Sequence, residues 1–272
     1  MGTMHIDLSR TMLSGTSVPT PVIEISADPN ALAVKAAGLI VRTARESIAQ
    51  RGRFNWVLSG GSTPEKTYNL LAQSDWASLI DWSRTYIFFS DERFVFAHDP
   101  RNNFGIIHKS LLARVPIPSS NVYPILTLAR TAAAAASAYA QKLADYFSLS
   151  DSVIPPRFDL IFLGLGRDGH TASLFPFADA LDVTDEWVTW TLPGTSPPPV
   201  ARLTLTYPVL NAARRIVFLV AGKNKAAALR DILEGQAPPE DRPAAGVYPT
   251  DGMLTWLVDN EAARLLTQKS SS

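Results

Sequence analysis

The sequence predicts an α/β protein built on a doubly wound, mostly parallel, Rossmann-like sheet with helices on both faces. Three observations lead there. Apolar runs of strand length alternate with segments of helical period along most of the chain. The run RIVFLVA at 215–221 is apolar without interruption, as strands buried on both faces of a parallel sheet are. Four polar turns follow predicted strands, at the ends where open parallel sheets bind their ligands.

In chain order, residues 22–25 form a short strand. Asp28 as N-cap and Pro29 at the first helical position open a helix towards Gln50. Its inner face carries Leu32, Ala36, Leu39, Ile40, Thr43 and Ile48, and Gly52 stops it. FNWVL at 54–58 is a second strand, leading through Ser59, Gly60, Gly61, Ser62 and Thr63 into a helix begun by Pro64 and Glu65. The strand at 85–89 delivers Ser90, Asp91, Glu92 and Arg93, then a polar loop through His98 and Asn103 and a helix through Leu112. The alanine-rich run at 129–147 is helical by propensity. Pro155 and Pro156 break the chain before FDLIFLGLGRDGHTASLFP at 158–176, which reads as a buried strand, a glycine turn presenting Asp168 and His170, and a short helix. Residues 186–191 and 202–206 read as strands, and Pro193 with prolines 197–199 as a loop or lid edge between them. After 215–221, Gly222-Lys223-Asn224-Lys225 opens a helix to Leu233, and a loop at 235–249, a strand at 254–258 and a helix at 261–266 complete the chain. No internal repeat or domain boundary is visible, so the expected organisation is a flexible segment at 1–21 and a single domain at 22–268.

Composition narrows the function. The chain has 272 residues, 46% of them apolar, enough for a substantial core. Twenty-five basic and 25 acidic residues balance to zero formal charge, so no footprint for nucleic acid or an anionic membrane is present and any anion must be bound locally. There is no cysteine, hence no thiolate chemistry and no cysteine-based zinc site. No stretch approaches the roughly 20 apolar residues of a membrane span, and the N-terminal residues show no secretory signal. The expectation is a soluble, cytoplasmic protein, a monomer by preference, acting on a small molecule, with no cofactor suggested.

The polar turns carry the chemistry. Gly164, Gly166 and Gly169 satisfy G-x-G-x-x-G after a strand, but Pro176 closes the following segment too early for a dinucleotide-binding helix. Of the four histidines, His5, His98, His108 and His170, only His170 is placed by a glycine turn at a strand exit. It is a candidate base, because a neutral imidazole accepts a proton near pH 7. Asp168 can orient its ring or stabilise the imidazolium; the alternative is that both residues only cap and tie the turn. Residues 59–63 offer hydroxyls and backbone N–H groups before a helix N-terminus, a setting suited to phosphate and equally to an ordinary strand-to-helix turn. Arg93 can grip a phosphate with its guanidinium fork and Asp91 can hold a water or a sugar hydroxyl, unless the triplet is simply a solvated cluster. Lys223 and Lys225 sit at a helix start, where a cation opposes the helix dipole unless an anion lies nearby.

The strings LSGGSTP (58–64), SDERFV (90–95), NNFGII (102–107), GLGRDGHTASLFP (164–176), RLTLTYPVLNAARRIVFLVAGKNKA (202–226) and WLVD (256–259) together resemble the 6-phosphogluconolactonase family over nearly the whole chain. The fourth is the most specific. Glucosamine-6-phosphate deaminases share a G-x-G-x-D-G-H turn but continue into an asparagine-glutamate-proline segment, where this chain has Leu174-Phe175-Pro176. The resemblance implies metal-free hydrolysis of 6-phospho-D-glucono-1,5-lactone to 6-phosphogluconate in the oxidative pentose phosphate pathway. It further implies His170 as general base with Asp168 as its partner, and Asp91, from its place at a strand exit, is the third catalytic candidate. Ser59, Gly60, Gly61, Ser62, Thr63, Arg93 and Lys225 are implied as the phosphate-binding set, and Arg202 lies beside the substrate. Phe104 stands where many members have tyrosine, and Arg167 adds a charge inside the central turn. Two other functions compete: the deaminase reaction, which lacks its ring-opening glutamate here, and a non-catalytic sugar-phosphate sensor.

Overall fold

The computed structural model describes residues 3–5, 20–150, 154–192 and 199–267. The rest of the expected flexible N-terminal segment, and the lid prolines at 193, 197 and 198, lie outside the described residues.

A seven-stranded sheet runs β1 (Thr3–His5), β2 (Val22–Ser26), β10 (Met253–Asp259), β9 (Arg215–Val220), β6 (Leu160–Gly164), β3 (Phe54–Leu58), β4 (Thr85–Phe89) in spatial order. Only β1 is antiparallel to its neighbour. All five residues of β3 are buried, and so are all of β9 but its first, which is why these strands are apolar throughout rather than alternating. Their side chains form an aromatic core: Trp256 stacks on Phe218 at 3.9 Å between ring centroids, and Trp56 meets Phe162 edge-on at 5.5 Å.

Helices pack around the sheet. α1 (Pro29–Arg51) is capped by the Asp28 carboxylate, which accepts from the N–H groups of Asn30 and Ala31, and ends at Gly52 in the left-handed conformation, φ 74°. The predicted inner face is buried except at Ile48, where Ser47 turns inward instead. α2 (Ser62–Leu71) starts two residues earlier than its proline suggests. α3 (Ser74–Ala77), α4 (Asn103–Ser110), α5 (Ala132–Phe147), α6 (Tyr207–Asn211), α7 (Ala226–Leu233) and α8 (Asn260–Ala263) follow. Among the described residues no helix is long and apolar enough to cross a membrane.

Three further expectations differ from the structure. Asp91–Arg93 is not merely a strand exit but a strand, β5, of a second antiparallel sheet in the order β5-β8-β7, with β8 (Arg202–Leu205) and β7 (Val188–Thr191). The residues after the glycine turn do not form a short helix: Thr171 and Leu174 close a tight bridge, with Leu174 N–H donating to Thr171 C=O at 2.9 Å and Ala172 at φ 46°. The last helix spans four residues, not six; the Asp259 carboxylate holds its start and accepts from Gly222 N–H as well.

Strand order fixes where a ligand binds. After β3 the chain steps outward to β4, and after β6 it steps the other way, to β9. The carboxyl ends of β3 and β6 therefore flank a topological switch point, the crevice that open α/β sheets use.

Candidate active site

A cleft of about 200 Å³ opens at that switch point. It is lined by Ser59, Gly60, Gly61, Ser62 and Thr63 after β3, Asp91 and Arg93 of β5, Gly166 and His170 after β6, Arg202 of β8 and Lys225 before α7. Asp168 stands behind His170 rather than in the lining. Lys223 is exposed and does not line it.

The β6 turn is a tight knot of hydrogen bonds. Gly166 N–H donates to His170 C=O at 2.7 Å, Gly169 N–H to Gly166 C=O at 3.2 Å, and Thr171 Oγ1 to Gly164 C=O at 2.9 Å. Gly169 needs φ 85°, and a side chain at Gly166 would occupy the space of the His170 ring and the Asp168 carboxylate. His170 Nδ1 lies 2.6 Å from Asp168 Oδ1, and Phe175 packs its ring 4.8 Å from the imidazole. Burial opposes the charge on Asp168, but the hydrogen bonds and charge of His170 outweigh it and hold the carboxyl down at about 2. An ionised Asp168 accepts Nδ1–H and so puts the lone pair of the neutral ring on Nε2.

The β3 turn is held from below. Tyr68 of α2 donates its hydroxyl to Ser59 C=O at 2.9 Å and accepts from Ser59 N–H at 3.2 Å, so one buried phenol pins both polar groups of the first turn residue. Gly61, at φ 111°, is the N-cap of α2 and offers no side chain to its N–H groups. Gly61, Ser62 and Thr63 line the cleft at the start of α2, where an anion would complement the helix dipole.

Arg93 and Arg202 are register partners across β5 and β8. Like charges opposite one another in an antiparallel pair repel. Burial lowers the Arg202 pKa, Asp91 opposes this, and Arg93 adds to it. Arg202 also lies over the Phe175 ring, its guanidinium carbon 5.6 Å from the centroid. Lys225 is lowered as well, chiefly by burial and then by Arg167, with Asp168 opposing. Three cations thus converge on one small cleft in a chain of zero formal charge. Among the described residues no group of three His, Asp or Glu side chains is placed to hold a metal ion.

Several residues that the sequence left without a role build this geometry. Asn103, the first residue of α4, donates Nδ2–H to the Asp91 backbone C=O at 3.0 Å and accepts from Arg93 Nη1 at its side-chain oxygen. The same side chain sits where Gly60 would carry a Cβ. Glu92 is buried and accepts from the N–H groups of Arg93, Asn103 and Phe104, fastening β5 to the start of α4; burial outweighs those bonds and pushes its carboxyl up to about 7. Ser173 donates its hydroxyl to Asp91 Oδ2 at 2.7 Å. The only sequence signals were small polar residues beside charged ones. Phe104 packs against Phe89 and His108 outside the cleft lining, and Arg167 is exposed beside the turn.

Comparison with known proteins identifies the family of the chain. Residues 27–256 match the family described as glucosamine-6-phosphate isomerases/6-phosphogluconolactonase. The chain is 40% identical over 255 residues to a 6-phosphogluconolactonase of Rattus norvegicus, covering 92% of this chain and 96% of that one. It is 37% identical over 246 residues to a 6-phosphogluconolactonase of Synechocystis sp., covering 90% and 98%. The solved 6-phosphogluconolactonase from Trypanosoma cruzi superposes with a TM-score of 0.81 at 29% identity, over 94% of this chain and 100% of that one. The chain belongs to the glucosamine-6-phosphate isomerase/6-phosphogluconolactonase family.

Proposed function

We propose that the chain hydrolyses 6-phospho-D-glucono-1,5-lactone to 6-phosphogluconate, the lactone-opening step of the oxidative pentose phosphate pathway. The carrying observation is the pairing, in one cleft, of an Asp168-oriented His170 with the convergent cations Arg93, Arg202 and Lys225. His170 Nε2 takes a proton from water as the water oxygen bonds to the lactone carbonyl carbon. The oxyanion so formed is stabilised by backbone N–H groups or by a lining cation. Collapse of the tetrahedral centre breaks the bond to the ring oxygen, which takes the proton back from the imidazolium, and the acid product ionises. Asp168 stabilises the imidazolium between the two transfers, and Asp91 balances the charge of Arg202 beside the substrate.

The 6-phosphate is held by residues 59–63, Arg93 and Lys225, remote from the reacting carbon, where its main effect is to position the ring. No step is assigned to a metal or a cofactor. The reading also takes residues 22–268 to act as one domain, working as a cytoplasmic monomer on a diffusible metabolite.

The deaminase reaction needs a carboxylate just beyond the histidine. The Phe175 ring, 4.8 Å from His170, presents an apolar face there instead. Because the lactone also opens unaided, the test is hydrolysis measured above that background. His170→Ala should lose about 10²- to 10⁴-fold in kcat with the fold intact. Lys225→Ala should chiefly raise KM. A fully active His170→Ala chain would sink the mechanism; ammonia release from glucosamine 6-phosphate would replace it with the deaminase, and lactone binding without turnover with the sensor.

A further inference from the structure

A second cavity, of about 540 Å³, lies at the opposite end of the sheet, at the amino ends of β3, β4, β6 and β9. Five-residue strands separate it from the candidate active site by roughly 16 Å. Four arginines from three separate chain segments converge on it: Arg51 and Arg53 before β3, Arg157 before β6 and Arg214 before β9.

The carboxylates present do not account for four guanidinium groups. Asp159, the one acid in the lining, is satisfied by two donors: Arg51 Nε at 2.8 Å on one oxygen and the Asn55 backbone N–H at 2.8 Å on the other. Arg214 Nε stays 3.5 Å from it, long for a hydrogen bond, and is buried without one, as is Arg157 Nε. Arg157 reaches out to Asp251 on the rim, at 2.7 Å. Among the described residues Arg53 forms no ion pair; it lies over the Tyr146 ring, 5.2 Å from its centroid. Among the described residues of the lining and its direct ion pairs, four guanidinium groups stand against two carboxylates, an excess of two positive charges. Burial, then the charges of Arg157 and Arg51, lowers the Arg214 pKa, with Asp159 and Asp251 opposing.

A planar guanidinium fork matches the oxygens of a phosphate, and two surplus charges match a dianion. The cavity is larger than phosphate alone, and Tyr86 and Phe147 give it an aromatic wall. We propose that this arginine cavity is a second binding site, for the phosphate dianion of inorganic phosphate or of a small phosphomonoester, distinct from the cleft that carries the lactone chemistry.

Calorimetric titration of the full chain with inorganic phosphate and with phenyl phosphate, at low ionic strength, tests this. The wild-type chain should show two binding steps. Lys225→Ala should weaken one of them. Arg53→Ala/Arg214→Ala should weaken the other by at least about tenfold while lactone hydrolysis stays unchanged. Tighter binding of phenyl phosphate at the arginine step assigns the site to a phosphomonoester, and equal affinities assign it to free phosphate. A single step that survives the double substitution unchanged overturns the proposal. If the double variant fails to fold, Arg53→Ala alone, at an exposed position, should still weaken that step by about threefold, and no change in it is again a refutation.

Discussion

The Asp168–His170 contact joins two properties that can be measured separately. At 2.6 Å, an ionised Asp168 fixes the tautomer of His170; against burial, this bond, the charge of His170 and backbone N–H donors hold the Asp168 carboxyl down at about 2 from an ordinary 3.8. A carboxyl lowered on folding adds stability that is present above the unfolded value and lost as pH falls through the folded one. The contribution therefore stands above about pH 4 and disappears towards pH 2, and its full size is roughly 2 kcal/mol. Denaturant unfolding of wild type and Asp168→Asn should show this gap at pH 7 and close it at pH 2; a gap of constant size would mean that ionisation of Asp168 is not what the contact uses. At this scale the sequence was informative. A histidine two residues after an aspartate, inside a turn whose glycines leave no room for other side chains, has few places to point. Glu92 was opaque for the opposite reason: its carboxylate is spent on three backbone N–H groups, one of its own neighbour and two of α4, and backbone partners leave no mark in sequence.

At the scale of elements, the long apolar strands and α1 were legible because each buries a periodic or continuous set of side chains and carries its own stop signals. β5 was not. It is three charged residues long, and its partner β8 lies more than a hundred positions downstream, so no local pattern announces it. The segment after His170 was expected to be helical, yet Thr171 and Leu174 bridge instead, and the left-handed Ala172 turns the chain there. That conformation costs a non-glycine residue about 1 kcal/mol, and it goes together with Ser173 reaching Asp91. The loop after β3 depends likewise on an element that does not line the cleft. Tyr68→Phe removes the hydroxyl that both donates to and accepts from Ser59, leaving a buried N–H and C=O without that partner. The expected cost is about 1–3 kcal/mol of stability. If residues 59–63 hold the phosphate, KM for the lactone should rise several-fold while kcat changes little. An unchanged KM in a destabilised Tyr68→Phe chain would show that the loop's shape does not depend on the latch.

At the scale of the whole molecule, the candidate site is a junction between two sheets. His170 and residues 59–63 belong to turns of the parallel sheet, whereas Asp91, Arg93 and Arg202 belong to the small antiparallel one. Parallel strands alone give a crevice; the second sheet supplies two of its three lining cations. Side-chain bonds tie the two bodies at the cleft, above all Ser173 Oγ to Asp91 Oδ2 at 2.7 Å, with Ser173 N–H donating to Thr204 Oγ1 at 3.2 Å beside it. Both Ser173 and Asp91 are buried. A hydrogen bond to a buried carboxylate contributes about 1.5–3 kcal/mol, so Ser173→Ala should destabilise the chain by that order and leave Asp91 with weaker donors, Ser90 and Asn103 at 3.3 Å. The loosened junction should also lower kcat/KM, because cations and histidine no longer keep one spacing. A double-mutant cycle with Asp91→Asn separates coupling from simple cavity formation: if the bond joins the sheets, the two substitutions together cost less than the sum of each alone, in both stability and kcat/KM. Strict additivity in kcat/KM would mean that the small sheet is a passive wall, and that the parallel sheet positions the substrate by itself.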